Sequence, residues 1–269
     1  MALIWVLRAC LLRDYRTDRS YLPAFVMGVL GAVASLAVFF YLARLVDPAG
    51  LDDPAFEDGS YFDFVVIGLA LFGILHVLLT SIPSRVRQDQ LTGALEALFT
   101  TRATPFALAL GYGVYDLLRA IVEAILFVLV AIVLFDLDVV LTWSGTLAAT
   151  AAVLLVVVLF AAVGVAAAGL VIAVKRVQAG ISLSISVLSL LGTVYFPASL
   201  LPPGLETLAG LNPLTWALDV IRPAVEGGDV PESRLVLLAI VTAASVPAAG
   251  AAIDACVRRT KRQGTLNVY

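Results

Sequence analysis

From Trp143 to Val174 the chain carries no charged side chain at all. A bilayer core about 30 Å thick needs roughly 20 consecutive apolar residues per helical span, so this run is more than long enough to cross. Five more runs meet the same standard, at Leu22–Val46, Phe62–Ile82, Phe106–Phe135, Gly180–Leu201 and Leu235–Val257. Their combined weight shows in the composition: 61% of residues are hydrophobic and only 14% charged, with a mean hydropathy of +1.03. A soluble domain has about 45–50% apolar and about 25% charged residues. The chain therefore reads as an all-α membrane protein with six transmembrane helices in one domain over residues 1–269, and an even number of spans puts both termini on one side.

Lysine and arginine fix which side that is, because cytoplasmic loops carry the excess. Arg8, Arg13, Arg16 and Arg19 precede the first span; Arg85, Arg87 and Arg102 follow the second; Lys175 and Arg176 follow the fourth; Arg258, Arg259, Lys261 and Arg262 follow the sixth. All four clusters fall on one side, so both termini are expected in the cytoplasm and the protein in the cytoplasmic membrane. The opposite loops are acidic, with Asp47, Asp52, Asp53, Glu57 and Asp58 in the first of them. No spacing among these acids suggests a metal cage. Net charge is −3, and no nucleic-acid partner is expected. Residues 1–20 do not read as a signal peptide, because Arg8 interrupts the apolar core and no small-x-small site follows. They read instead as an interfacial helix whose arginines meet anionic membrane lipids. Cys10 and Cys256 lie near the cytoplasmic face, where a disulfide is not expected.

Groups for catalysis are missing. His76 is the only histidine, set in "GILHVLL", and reads as a satisfied bundle-facing residue rather than a proton relay or a metal ligand. The serines of "AGISLSIS" sit in no Gly-x-Ser-x-Gly elbow. A phosphate-binding Gly-x-x-x-x-Gly-Lys loop needs a lysine after a glycine, but Lys175 and Lys261 follow Val174 and Thr260. Any ATP and Mg used here must be held by another chain.

One polar segment breaks the apolar pattern between the second and third spans. In "DQLTGALEALFTT", Leu91, Ala94, Leu95, Leu98 and Phe99 fall on one helical stripe, while Asp89, Gln90, Thr92, Gly93 and Glu96 take the other face. Thr104–Pro105 then reads as a fresh helix start, with threonine as N-cap and proline at the first helical position. The spacing predicts a separate cytoplasmic helix over 88–101, too short to cross. It is either an interfacial anchor or a docking element. The polar face lacks the lysines and arginines of an anchor, and Gly93 costs about 1 kcal/mol relative to alanine, which a close backbone contact with a partner would explain.

The third span carries ionisable groups at membrane depth, where they are expensive and normally face the bundle or a wet cavity. In "YGVYDLLRAIVEAI", Tyr112, Asp116, Arg119 and Glu123 share one face, so Asp116 and Glu123 can both neutralise Arg119. This is either a self-contained structural triad or part of a path or switch. In the fourth span, Gly164 and Ala168 form a small-residue packing face. In the fifth, Ser182, Ser186, Ser189 and Thr193 draw a hydroxyl stripe, read as helix-to-helix hydrogen bonding or as a substrate lining. Residues 202–232, "PPGLETLAGLNPLTWALDVIRPAVEGGDVPE", are too proline-rich for another pair of spans; non-spanning helices in the outer leaflet fit, with Trp216 at the interface level.

The motifs "GALEALFTT" and "YFPASLLPPGLETLAGLNPLTWALDVIR" together resemble the permease subunit of type-2 ATP-binding cassette (ABC) exporters, over essentially the whole chain. In the first motif Gly93, Leu95 and Glu96 match. In the second, Phe196–Pro197, the Leu-Pro pair and Leu211–Thr215 followed by Arg222 match. The resemblance implies a coupling helix (Leu91, Thr92, Gly93, Leu95, Glu96, Phe99) docked on a separate ABC ATPase present in two copies, with ATP and Mg bound there. It implies a second permease subunit, most simply this same chain, a fifth span that helps line the path, and a re-entrant outer gate for which Phe196, Leu200, Asn212 and Pro213 are candidates. Tyr112 and the hydroxyl stripe are candidates for the substrate path. The short first outer loop favours a lipid, drug or similar amphiphile as cargo. A polysaccharide or lipid-linked glycan exporter of the same family is the alternative, and an ATP-independent secondary transporter lies outside it.

Overall fold

Two long helices begin where their sequences say they should. Thr104 accepts a hydrogen bond from the Ala107 N–H at 3.2 Å with Pro105 opening the helix, and Thr142 accepts one from the Gly145 N–H at 3.1 Å. Each cap satisfies one of the four orphaned donors of a helix start. The computed structural model describes residues 2–18, 22–45, 61–100, 103–137, 139–140, 142–174 and 177–263. The first outer loop (47–60), Arg102, Lys175 and Arg176 lie outside the described residues. All regular structure among the described residues is helical: α1 (Ala2–Asp18), α2 (Leu22–Leu45), α3 (Tyr61–Leu91), α4 (Ala94–Phe99), α5 (Pro105–Phe135), α6 (Trp143–Ala173), α7 (Gln178–Leu191), α8 (Pro203–Gly210), α9 (Pro213–Glu226) and α10 (Glu232–Gln263), with a 3-10 turn at Ala198–Leu200.

Four of these, α3, α5, α6 and α10, are long and apolar enough to cross a membrane. This is a multi-pass membrane protein. The six expected spans need two corrections. The second, expected to stop at Ile82, continues to Leu91 through Pro83, which sits buried inside a helix of 31 residues. Proline removes one backbone hydrogen bond, and the packing around α3 tolerates the loss. The fifth, expected over Gly180–Leu201, is not one helix: α7 has only 14 residues, about 21 Å at 1.5 Å per residue. The Leu214 side chain packs against Gly192, where a Cβ would lie 2.5 Å from a methyl of Leu214, and the backbone leaves the helix there. Thr193 then takes a left-handed φ of 52°, which no α-helix can continue.

The core is packed at small residues, as expected where lipid offers no hydrophobic drive and close van der Waals contact decides. A Cβ on Gly164 would come within 2.6 Å of the Leu78 carbonyl oxygen, and one on Gly113 within 2.8 Å of Ile82. Gly164 and Ala168 therefore make the packing face read from the sequence, pressing α6 on α3. A second cluster fastens α2: Leu36 is fully buried against Phe62, Val66 and Ala131, and the Phe40 ring meets Phe62 at 5.5 Å and Phe135 at 5.0 Å.

Candidate functional site: two arginine-centred joints

Near its C-terminal end α3 carries Arg85, which the sequence reading treated only as a topology signal. Arg85 Nε and Nη2 donate to the two oxygens of Asp116 on α5, both at 2.9 Å. Its Nη1 lies 3.1 Å from Asp14 Oδ2 on α1. That oxygen has no aligned hydrogen bond, so charge attraction alone holds it. Asp14 Oδ1 also accepts from Arg13 Nε at 2.8 Å. One turn further along α3, Asp89 accepts the hydroxyl of Tyr112, and the Arg13 guanidinium lies 5.5 Å from the centre of that ring. Six side chains from three helices thus share one charged joint, with side-chain exposures of 29% for Arg85, 19% for Asp116 and 6% for Asp14. The hydrogen bond to Asp14 raises the pKa of Arg13 further. Cys10 is pressed against Gly111, where a Cβ would come 2.8 Å from its sulfur; burial pushes its thiol pKa up, so it is an inert packing residue.

The ion triad expected within α5 divides. Asp116 turns to Arg85, while Arg119 keeps Glu123 at 2.8 Å in a half-exposed pair. Helical spacing places Asp116 and Arg119 on one face but does not say what the neighbouring helix offers, and Arg85 offers a bidentate fork. The missed members of the joint were legible only as charges: Arg13, Asp14, Arg85 and Asp89 all sit where α1 and α3 leave the apolar runs.

At the other end of α3 a second arginine, Arg222 of α9, is buried. It donates through Nη2 to the carbonyl oxygens of Thr193 at 2.7 Å and Phe64 at 3.1 Å, and its guanidinium carbon sits 3.3 Å from the centre of the Phe64 ring. Gly68 makes room, since a Cβ there would lie 2.5 Å from the Val194 carbonyl oxygen. The same region explains "LNPLT". Asn212 Oδ1 caps α9 at the Leu214 N–H, 3.0 Å, while its Nδ2 donates to Leu188 O at 3.3 Å and Thr215 donates to Leu191 O at 3.2 Å. Two of the last carbonyls of α7, orphaned by the helix end, are thereby satisfied.

Of the expected gate residues, Asn212 and Pro213 belong to this α7–α9 joint, while Phe196 is half-buried and Leu200 exposed on the connecting segment. Trp216, expected at the membrane interface, is buried and donates to Gly210 O at 2.7 Å. The hydroxyls of Ser182, Ser186 and Ser189 bond back to carbonyls of their own helix, and Ser182 and Ser186 face outward. Thr193 has left the stripe and is buried. His76, expected to be satisfied inside the bundle, is exposed, with its ring 6.0 Å from Phe72.

The polar segment after α3 is broken rather than continuous over 88–101. Helix α3 ends at Leu91, Gly93 takes a φ of 74°, and α4 begins at Ala94. Leu91 and Leu95 therefore do not share a stripe: Leu91 is 62% exposed and Leu95 only 3%. Within this chain Gly93 is needed for its left-handed backbone, which glycine adopts without penalty; a Cβ there would touch nothing within 4 Å. Thr92 donates to the Gln88 carbonyl at 3.1 Å and closes the end of α3. The side chains of Glu96 and Phe99 lie outside the described residues. Among the described residues no three His, Cys, Asp or Glu side chains group to hold a metal ion.

Comparison with known families agrees with this architecture. The family described as ABC-2 type transporter matches residues 1–225, which takes in both arginine joints and the broken segment between α3 and α5. No curated protein matches the chain.

Proposed function

This chain belongs to the ABC-2 type transporter family, and on that premise we propose that it is the membrane-spanning subunit of an exporter. It moves a lipid, drug or similar amphiphile out across the cytoplasmic membrane. Energy comes from ATP and Mg bound by two copies of a separate ATPase, and a second permease, most simply this same chain, completes the path. The basic clusters put both termini and α4 in the cytoplasm; α2, and α7 together with the segment that follows it, complete six crossings, and α8 and α9 form the re-entrant outer segment. Leu91, Thr92, Gly93, Leu95, Glu96 and Phe99 are the elements that meet the ATPase.

The observation that carries this reading is the Arg85 joint on α3, less than two turns before that helix ends at Leu91 and the chain turns at Gly93. A push on α4 enters α3 through a single glycine hinge, and the charged joint passes it to α5 through Asp116 and to α1 through Asp14. Ion pairs of this kind have alternative partners, as a two-state element requires: Arg119 and Glu123 sit one and two turns along α5 from Asp116. Exposed seryl hydroxyls on α7 suit a path shared with the second subunit.

The test is to purify the tagged chain from its native membrane in mild detergent and ask whether an ATP-hydrolysing subunit accompanies it at one to one. Glu96→Arg should lose that subunit; unchanged co-purification of the variant would sink the docking assignment. Arg85→Gln should keep the ATPase bound but lose stimulation of hydrolysis by cargo.

A further inference from the structure

Between α2, α3 and α5 lies a cavity of about 340 Å³, within the size range of small-molecule sites. It exists because small residues face each other across it: Gly28 and Ala32 on α2, Gly73 on α3, Ala120 and Ala124 on α5. Packing does not impose these glycines. At Gly68, Gly113 and Gly164 a Cβ would collide with a neighbour at 2.5–2.8 Å, whereas at Gly28 and Gly73 it would meet nothing within 4 Å. Further along α2 the Phe40–Phe62–Phe135 cluster holds the three helices together, and the space opens one to three turns back toward the N-terminus of α2. The cavity is open at one side, where Gly28, Gly73 and His76 are exposed, so a ligand can reach it.

Besides the Ser35 hydroxyl of α2, two polar groups break its apolar lining, His76 of α3 and Glu123 of α5. Counted from the Arg85–Asp116 contact, they lie about 13 Å and about 10 Å along their helices at 1.5 Å per residue, so they reach the cavity at similar depth. Glu123 accepts from Arg119 through Oε1, and a carboxylate has acceptor sites to spare. Phe72 and Phe127 also line the space, and aromatic rings attract organic cations. Arg119 is not among the lining residues, so among the described residues the one formal charge facing the cavity is the Glu123 carboxylate.

We propose that this cavity binds a cationic amphiphile, with its ammonium head at Glu123 beside Phe72 and Phe127 and its apolar body along the glycine and alanine wall. Naming this ligand as cargo deepens, and rests on, the export reading; binding itself does not.

The test uses the full chain in phosphatidylcholine nanodiscs, with a dansyl-tagged alkyl trimethylammonium as probe and the matching alkyl sulfonate as control. Saturable binding of the ammonium is expected, weakened at least tenfold by Glu123→Gln, tightened severalfold by Arg119→Gln, and absent for the sulfonate. Gly73→Leu and, independently on α2, Gly28→Leu should each remove binding with an unfolding midpoint no lower than wild type, since they fill space without displacing a neighbour. Equal binding of ammonium and sulfonate, or wild-type binding by both folded leucine variants, overturns the proposal. Binding as expected in a chain that purifies without any ATPase supports the site and defeats the export reading. Binding without stimulation of hydrolysis in an intact complex supports the site and removes only its role as cargo site.

Discussion

Arg85 and Arg222 grip opposite ends of α3 by different means. Phe64, which accepts from Arg222, lies about 32 Å along the helix from Arg85 at 1.5 Å per residue, close to the roughly 30 Å of a bilayer core. Arg222 is buried, its direct contacts two carbonyl oxygens and a ring, with the Asp219 and Glu226 carboxylates acting on it through space. Arg85 is partly exposed between two carboxylates, with further ionisable groups within a turn or two. An arginine fixed on backbone carbonyls cannot exchange partners without unmaking the fold around it. One set among several carboxylates can. The difference assigns the Arg222 end to holding the helices in place and the Arg85 end to letting them move.

That contrast can be broken at its strong end first. Arg222→Met leaves two buried carbonyls unpaired at about 1–3 kcal/mol each, so a loss of about 4 kcal/mol or failure to accumulate is expected by thermal unfolding in detergent. Arg222→Lys should recover only part of it, because a point charge cannot serve two carbonyls and lie flat on a ring. If Arg222→Met unfolds like wild type, the outer joint is not a fixed point. Arg85→Gln should cost less, about 2 kcal/mol, since the buried Asp14 loses an ion partner but the joint is partly screened by solvent. A double-mutant cycle of Arg85→Gln with Asp116→Asn should give a coupling near 1 kcal/mol that shrinks with added salt, whereas the buried Arg222 joint should respond less.

Smaller effects sharpen the picture between the ends. Gly93→Ala forces a side chain into a left-handed backbone and should cost about 1 kcal/mol, with Gly93→Asn milder; an effect on ATPase association larger than on stability would add a docking role to the conformational one. Ser182→Ala with Ser186→Ala should shift stability by less than about 0.5 kcal/mol, because their hydroxyls bond carbonyls of their own helix. A larger loss would reveal a partner helix, and a loss of transport alone would put the stripe in the path.

Much of the scaffold was legible along the chain. Thr104–Pro105 caps α5 as its sequence requires, α6 starts at Trp143, and residues 202–232 hold two short helices where prolines forbid a span. What misled were features whose meaning depends on a neighbour. The apolar run of the second span ends at Ile82, but α3 continues to Leu91 through Pro83, buried in the bundle. Gly180–Leu201 carries no charge, yet α7 ends after 14 residues where Thr193 takes a left-handed backbone and Leu214 packs on Gly192. Asp116 shares a face with Arg119, but Arg85 from another helix claimed it.

By itself the sequence determined that this chain is a helical membrane protein and where its helices begin, and its motifs pointed to the family to which it belongs. Hydropathy, caps and prolines act within a turn or two of their own position, so they can be read without knowing the fold. Only the tertiary structure decided which charges pair, why Gly93 and Gly192 are glycines, and that small residues on three helices leave a cavity around Glu123. Each of these depends on distances between segments far apart in sequence, and an electrostatic or steric contact of about 3 Å is set by helix packing, not by residue spacing.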